Sequence, residues 1–104
     1  MISPRELRVQ GAVDIPEFKL LDNSPTGRET LMCFGTWDTA VVEIQTQLTV
    51  GEETSPVTTF PVEGTHTADF ALEVNVGLKN PLIVSVSTAS AATDLFIKVV
   101  TAEV

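Results

Sequence analysis

Between Val41 and Val50 the chain alternates almost residue by residue. Val42, Ile44, Thr46, Leu48 and Val50 fall on one side, and Val41, Glu43, Gln45, Gln47 and Thr49 fall on the other. Successive strand side chains project to opposite faces, so this pattern predicts a strand with one face on a core and one in water. A helix would scatter the same apolar residues around its axis. The strand is entered through a tight Gly-Thr-Trp-Asp-Thr turn at residues 35–39.

Shorter runs of the same kind lie on both sides. Residues 5–14 alternate Leu7, Val9, Gly11 and Val13 against Arg8, Gln10, Ala12 and Asp14, and residues 17–21 make a second segment after Pro16. Residues 22–27, DNSPTG, are the densest group of turn formers. Residues 28–34 place Leu31 and Cys33 on one face and Met32 and Phe34 on the other. Beyond the solvated turn at residues 51–55, residues 57–62 read as a weak strand that Pro61 confines to a sheet edge. Residues 63–67 then read as a turn. Residues 69–76 and 82–87 alternate cleanly, with Phe70, Leu72, Val74, Val76, Leu82, Val84 and Val86 inward and Ile83 outward. Residues 88–94 form a loop of small side chains, and residues 95–100 are apolar on both faces.

About seven to eight short strands separated by turn signals, with no run of helical period, predict an all-β fold. The expected architecture is a single antiparallel β-sandwich, of jelly-roll or immunoglobulin-like type, with an N-terminal extension. Residues 1–34 are assigned to N-terminal strands or an arm free to contact a neighbouring subunit, and residues 35–104 to the sandwich core. At 104 residues the chain fits one domain with a modest core.

Charge narrows the partners. Six basic residues against fourteen acidic ones give a net charge of −8, which repels phosphate backbones and anionic lipid. Neither nucleic-acid binding nor membrane docking is expected. Arg5, Glu6 and Arg8 stand where a secretory signal would need an apolar run, and no stretch approaches the roughly 20 apolar residues of a membrane span. Cys33 is the single cysteine, so no disulfide forms within the chain, and its apolar surroundings suit a small buried hydrophobe.

Candidate chemistry is sparse. His66 is the sole histidine and sits in the expected turn at residues 63–67, with no nucleophile-elbow spacing around any serine. The carboxylate pairs Glu52–Glu53, Asp14–Glu17 and Asp69–Glu73 lack the alternating oxygen donors and glycine of a calcium loop. Trp37 suits a core or interface anchor better than a sugar platform, since no tyrosine or second tryptophan supports it. No catalytic, cofactor or metal site is expected. What remains are apolar side chains on nominally outward positions, Met32, Phe34, Ile83, Phe96 and Val100, a pattern that marks protein contacts.

Two stretches carry a family resemblance: the Gly-Thr-Trp-Asp-Thr-Ala-Val turn at residues 35–41, and the Pro-Leu-Ile-Val-Ser-Val-Ser strand at residues 81–87. A small-residue loop follows, and Thr93, Asp94 and Leu95 open the last strand. Over residues 35–100 the chain resembles the small β-sandwich head cement, or decoration, proteins of tailed bacteriophages. The resemblance implies a non-enzymatic virion protein, made in the host cytoplasm and seated on the outside of the capsid. It would be a homotrimer that bridges subunits of the major capsid protein. Contact residues expected on this reading are Leu7, Val9 and Val13 of the N-terminal segment together with Met32, Phe34, Trp37, Ile83, Phe96 and Val100. The alternatives are another virion part (tail, baseplate or fibre subunit) and a carbohydrate-binding module using Trp37.

Overall fold

The computed structural model describes residues 5–49, 57–77 and 79–101. Among them every regular element is a strand: β1 (Glu6–Gln10), β2 (Ile15–Leu21), β3 (Arg28–Thr36), β4 (Val41–Thr49), β5 (Val57–His66), β6 (Phe70–Asn75), β7 (Leu82–Ser87) and β8 (Asp94–Thr101). They form two four-stranded sheets, a front sheet ordered β1-β8-β3-β6 and a back sheet ordered β2-β7-β4-β5.

The pairing has a simple logic. β1 pairs with β8, β2 with β7, β3 with β6 and β4 with β5, all antiparallel. The chain is therefore one long hairpin whose two arms run side by side, rolled so that successive pairs fall alternately in the front and back sheets. The pairings of β3 with β8 and of β4 with β7 then close the roll. This winding is a jelly roll, which selects that alternative over the immunoglobulin-like one.

Inward positions of the two sheets make one core, including Val9, Leu20, Leu31, Cys33, Val42, Ile44, Val74, Leu82, Val84, Val86, Leu95, Ile97 and Val99. The period of two is visible in β8, where Leu95, Ile97 and Val99 are buried while Phe96, Lys98 and Val100 are exposed.

The structure refines three expectations. First, of residues 1–34, expected as N-terminal strands or an arm, the described part supplies strands of the sandwich itself: β1 and β2 form one edge of each sheet, and β3 lies between β8 and β6. Second, the strand expected over residues 5–14 stops at Gln10, because Gly11 takes a left-handed φ of 81° and its N–H turns to the Thr93 carbonyl at 2.8 Å. Third, the turn expected at residues 63–67 is strand as far as His66. Pairing of Gln45 with Pro61, Ile44 with Glu63 and Glu43 with Thr65 leaves Val62 and Gly64 as extra residues, so bulges carry β5 onward.

The two stretches that suggested a family meet at one end of the roll. Thr39 and Thr88 each donate a hydroxyl to the other's carbonyl, at 2.6 and 2.8 Å. The Ser90 hydroxyl reaches Asp38, and the Thr93 hydroxyl donates to the Trp37 carbonyl at 3.2 Å. The turn after β3 is thereby stitched to the loop before β8.

Candidate functional site

The outer face of the front sheet is the most distinctive surface. Its geometry follows from register, because residues opposite each other on paired strands share a face. Arg8, Phe96 and Phe34 form one row across β1, β8 and β3. Glu6, Lys98, Met32 and Ala71 form the next, extending onto β6, and Val100, Thr30 and Glu73 the one beyond. Phe34, Phe96 and Val100 are 48%, 39% and 42% exposed. The two phenylalanine rings stack at 5.7 Å between centroids. The Arg8 guanidinium lies 4.7 Å from the Phe96 centroid and donates two hydrogen bonds to Asp94, at 3.1 and 3.2 Å. That paired bond raises the Arg8 pKa and holds the Asp94 carboxyl below the ordinary aspartate value. Lys98 stands 3.9 Å from Glu6.

Among the described residues of its strands, Arg8, Arg28 and Lys98 are the cations of this face and Glu6, Glu73 and Asp94 the anions, with the exposed Asp69 preceding β6 beside them.

Of the contact residues expected from sequence, Phe34, Phe96 and Val100 come together on this face, with the half-buried Met32 beside them. Val13 is exposed in the loop after β1, away from this grid. The others lie apart from it. Leu7 and Val9 point inward from β1, Leu7 packing against the core and Val9 lying within it. Ile83 does face outward from β7, but it is fully buried between its cross-strand neighbours Lys19 and Gln45. Trp37 is only 7% exposed.

Trp37 belongs to an aromatic corner between the sheets. Its indole N–H donates to Asp69 at 2.6 Å, and the Gly35 N–H reaches the same oxygen at 3.2 Å. Phe70 lies 6.2 Å from Trp37, and the His66 ring stacks on Phe70 at 4.1 Å. His66 was expected as a solvated loop residue. It is instead partly covered at the end of β5, with Nε2 3.7 Å from Glu63.

A second polar cluster sits at the opposite end of β3. Glu29 is fully buried and accepts the Ser24 hydroxyl, and Ser24 in turn accepts the Gly27 N–H at 2.9 Å. The Ser24 backbone bonds to Asn80 and Lys79 at 2.9 and 2.8 Å, tying the 22–27 turn to the 77–80 turn. Sequence reasoning passed over Glu29, which its inward parity with Leu31 and Cys33 could have exposed. The Arg8–Asp94–Phe96 arrangement had no such signal, because it depends on the register of β1 against β8.

Cys33 is buried and unpaired, and loss of solvation, with the Asp69 charge adding to it, pushes its thiol up to about 12. The Asp14–Glu17 and Asp69–Glu73 pairs belong to no cluster of three or more potential metal ligands among the described residues. Glu52–Glu53 lies outside the described residues. No protein-family model, curated protein or solved structure matches the chain.

Proposed function

We propose that this protein is a non-enzymatic structural part of a virion, a capsid cement protein that stabilises a phage head by lending surface. The observation that carries the reading is the front sheet's outer face. It gathers three exposed apolar side chains, two of them stacked aromatics, on one sheet. Contiguous apolar surface of this kind marks a contact with another macromolecule. A jelly roll alone does not assign a function. The cement reading adds to it the likeness of residues 35–41 and 81–95 to head cement proteins.

Mechanically the function asks for avidity. Several modest contacts held together at high effective concentration clamp neighbouring capsid subunits without any bond being made or broken. The rival reading as a carbohydrate-binding module needs an exposed ring at Trp37, and that ring is buried with its N–H on Asp69.

The test is co-sedimentation of the purified protein with undecorated heads of tailed phages, followed by heating. Saturable binding and a higher temperature of head rupture are expected. Absence of binding, or binding without any gain in head stability, would defeat the proposal. Removing residues 2–13 is a poor probe of contact, because it takes away β1 and the core residue Val9.

A further inference from the structure

We infer that copies of this chain join head to tail through the front sheet, the outer edge of β6 in one copy pairing antiparallel with the outer edge of β1 in the next. The inference goes beyond the cement reading by naming how copies of the chain meet. It leaves the outer face of the front sheet, on which that reading rests, free for the shell.

The first argument is which edges can be bonded. Among the described residues, β1 and β6 end the front sheet and β2 and β5 end the back sheet. An edge strand offers N–H and C=O groups to any incoming strand, a route that proline and bulges block. β2 and β5 carry Pro16 and Pro61, and the pairing of each contains two register shifts. β1 and β6 carry no proline, and their pairings with β8 and β3 run without a shift. At five and six residues both have the ordinary length of a strand. The blocked edges fall on one sheet and the open edges on the other.

The second argument is register. Strands of the front sheet alternate in direction, so a β1 laid beside β6 in a continued sheet is antiparallel to it. Residues opposite each other share a face, so the outward residues of β1 must meet outward residues of β6. One register obeys that rule and pairs all five residues of β1 within β6: Glu6 with Asn75, Leu7 with Val74, Arg8 with Glu73, Val9 with Leu72 and Gln10 with Ala71. Length and parity alone select it, yet it sets the one charge of β6 opposite the one cation of β1. The inward row joins Leu7 and Leu72, both half-buried at their edges, to Val74 and Val9. Slipping by two residues in one direction would set Glu6 against Glu73, and like charges directly opposite repel. Asp69 falls level with Ala12, past the end of β1.

Pairing like edges serves less well. β6 against β6 brings acidic strands together with no cation, since Glu73 is the one charged residue of β6. β1 against β1 leaves the longer β6 edge uncovered. The head-to-tail contact is heterologous, so each added copy keeps one edge of each kind. Growth therefore passes beyond two chains and ends in a ring where the rotation closes.

Sedimentation velocity of the full chain from roughly 10 to 500 µM, with amide hydrogen exchange at both ends of that range, tests the inference. Assemblies of three or more chains of 11.2 kDa are expected. Amides of β1 and β6 should gain protection on assembly, and those of β2 and β5 should not. Glu73→Arg should weaken assembly about tenfold while leaving Trp37 fluorescence native. Adding Arg8→Glu should restore most of that loss, because the pair is then reversed rather than broken. Glu17→Arg, the same charge change on the exposed side of β2, should not weaken assembly.

A monomer at every concentration, or assembly that stops at two chains, would overturn the inference. So would protection gained at β2 and β5 in place of β1 and β6, or assembly indifferent to Glu73→Arg in folded protein. Because no heads are present, failure here leaves the cement reading to its own test. Assembly of the chains without head binding defeats that reading alone.

Discussion

The front and back sheets have the same number of strands and share one core, yet their outer faces are built from opposite materials. On the front, Phe34, Phe96 and Val100 stand in water. On the back, Gln45 donates to Glu43 at 2.7 Å and Gln47 to Thr59 at 3.0 Å, and the large apolar side chain of Ile83 is covered. Polar side chains on the back sheet hydrogen-bond to one another. The front sheet leaves its rings uncovered. An outward apolar residue is thus fold-stabilising on one sheet and free for contact on the other, and mutation should separate the two roles.

The largest expected effect tests what holds the front face together. At Gly35, where β3 meets β8, φ is 136° and a Cβ would overlap the Asp94 carbonyl oxygen. Gly35→Ala is expected to cost about 3 kcal/mol or more, through strain and displaced backbone, read as a fall in the urea midpoint. A change below about 1 kcal/mol would show that the two strands can separate there without penalty.

The next prediction compares the two faces directly. Ile83→Ala should cost about 2–4 kcal/mol, as a buried truncation does. Phe34→Ala, at a half-exposed ring, should cost about 1 kcal/mol or less. Equal losses in equilibrium unfolding would erase the distinction between the faces.

At the corner where the sheets meet, Trp37→Phe keeps an aromatic ring but removes the N–H that Asp69 accepts. A loss of about 1–3 kcal/mol is expected, the range for a hydrogen bond to a charged group. Trp37→Phe with Asp69→Asn should cost less than the sum of the single changes in a double-mutant cycle.

The inner side of the same front strand responds to alkali. The Cys33 thiol titrates near 12 in the fold against 9.0 unperturbed. Its stabilising contribution is therefore complete below about pH 9 and is lost as the pH rises toward 12, because the unfolded chain gives up its proton first. The slope should approach about 1.4 kcal/mol per pH unit and vanish in Cys33→Ala, measured by urea unfolding at pH 8 and pH 10.

The smallest effect is on the front surface itself. Asp94 is depressed by its hydrogen bonds from Arg8, so its contribution is present above the ordinary value of 3.8 and is lost as pH falls through the folded value. Asp94→Asn should flatten the acid limb of the stability profile slightly, as befits an exposed pair.

The strand content, the inward residues Val42, Ile44 and Thr46 of β4 and those of β6, β7 and β8, and the edge position imposed by Pro61 were legible in the sequence, because the side-chain period of two is a local property; the inward placing of Leu48 and Val50 lies outside the described side chains. The alternation also placed Phe34, Phe96 and Val100 outward. It could not say which outward residues stay exposed, since Ile83 has the same parity and is fully buried, opposite Lys19 and Gln45 on strands distant in sequence. Nor could it bring Arg8 to Phe96 and Asp94, which lie on strands 86 residues apart joined only by register. Local chemistry wrote the strands and their faces. Only the rolled pairing decided which face keeps its apolar side chains in water, because that depends on neighbours brought together from opposite ends of the chain.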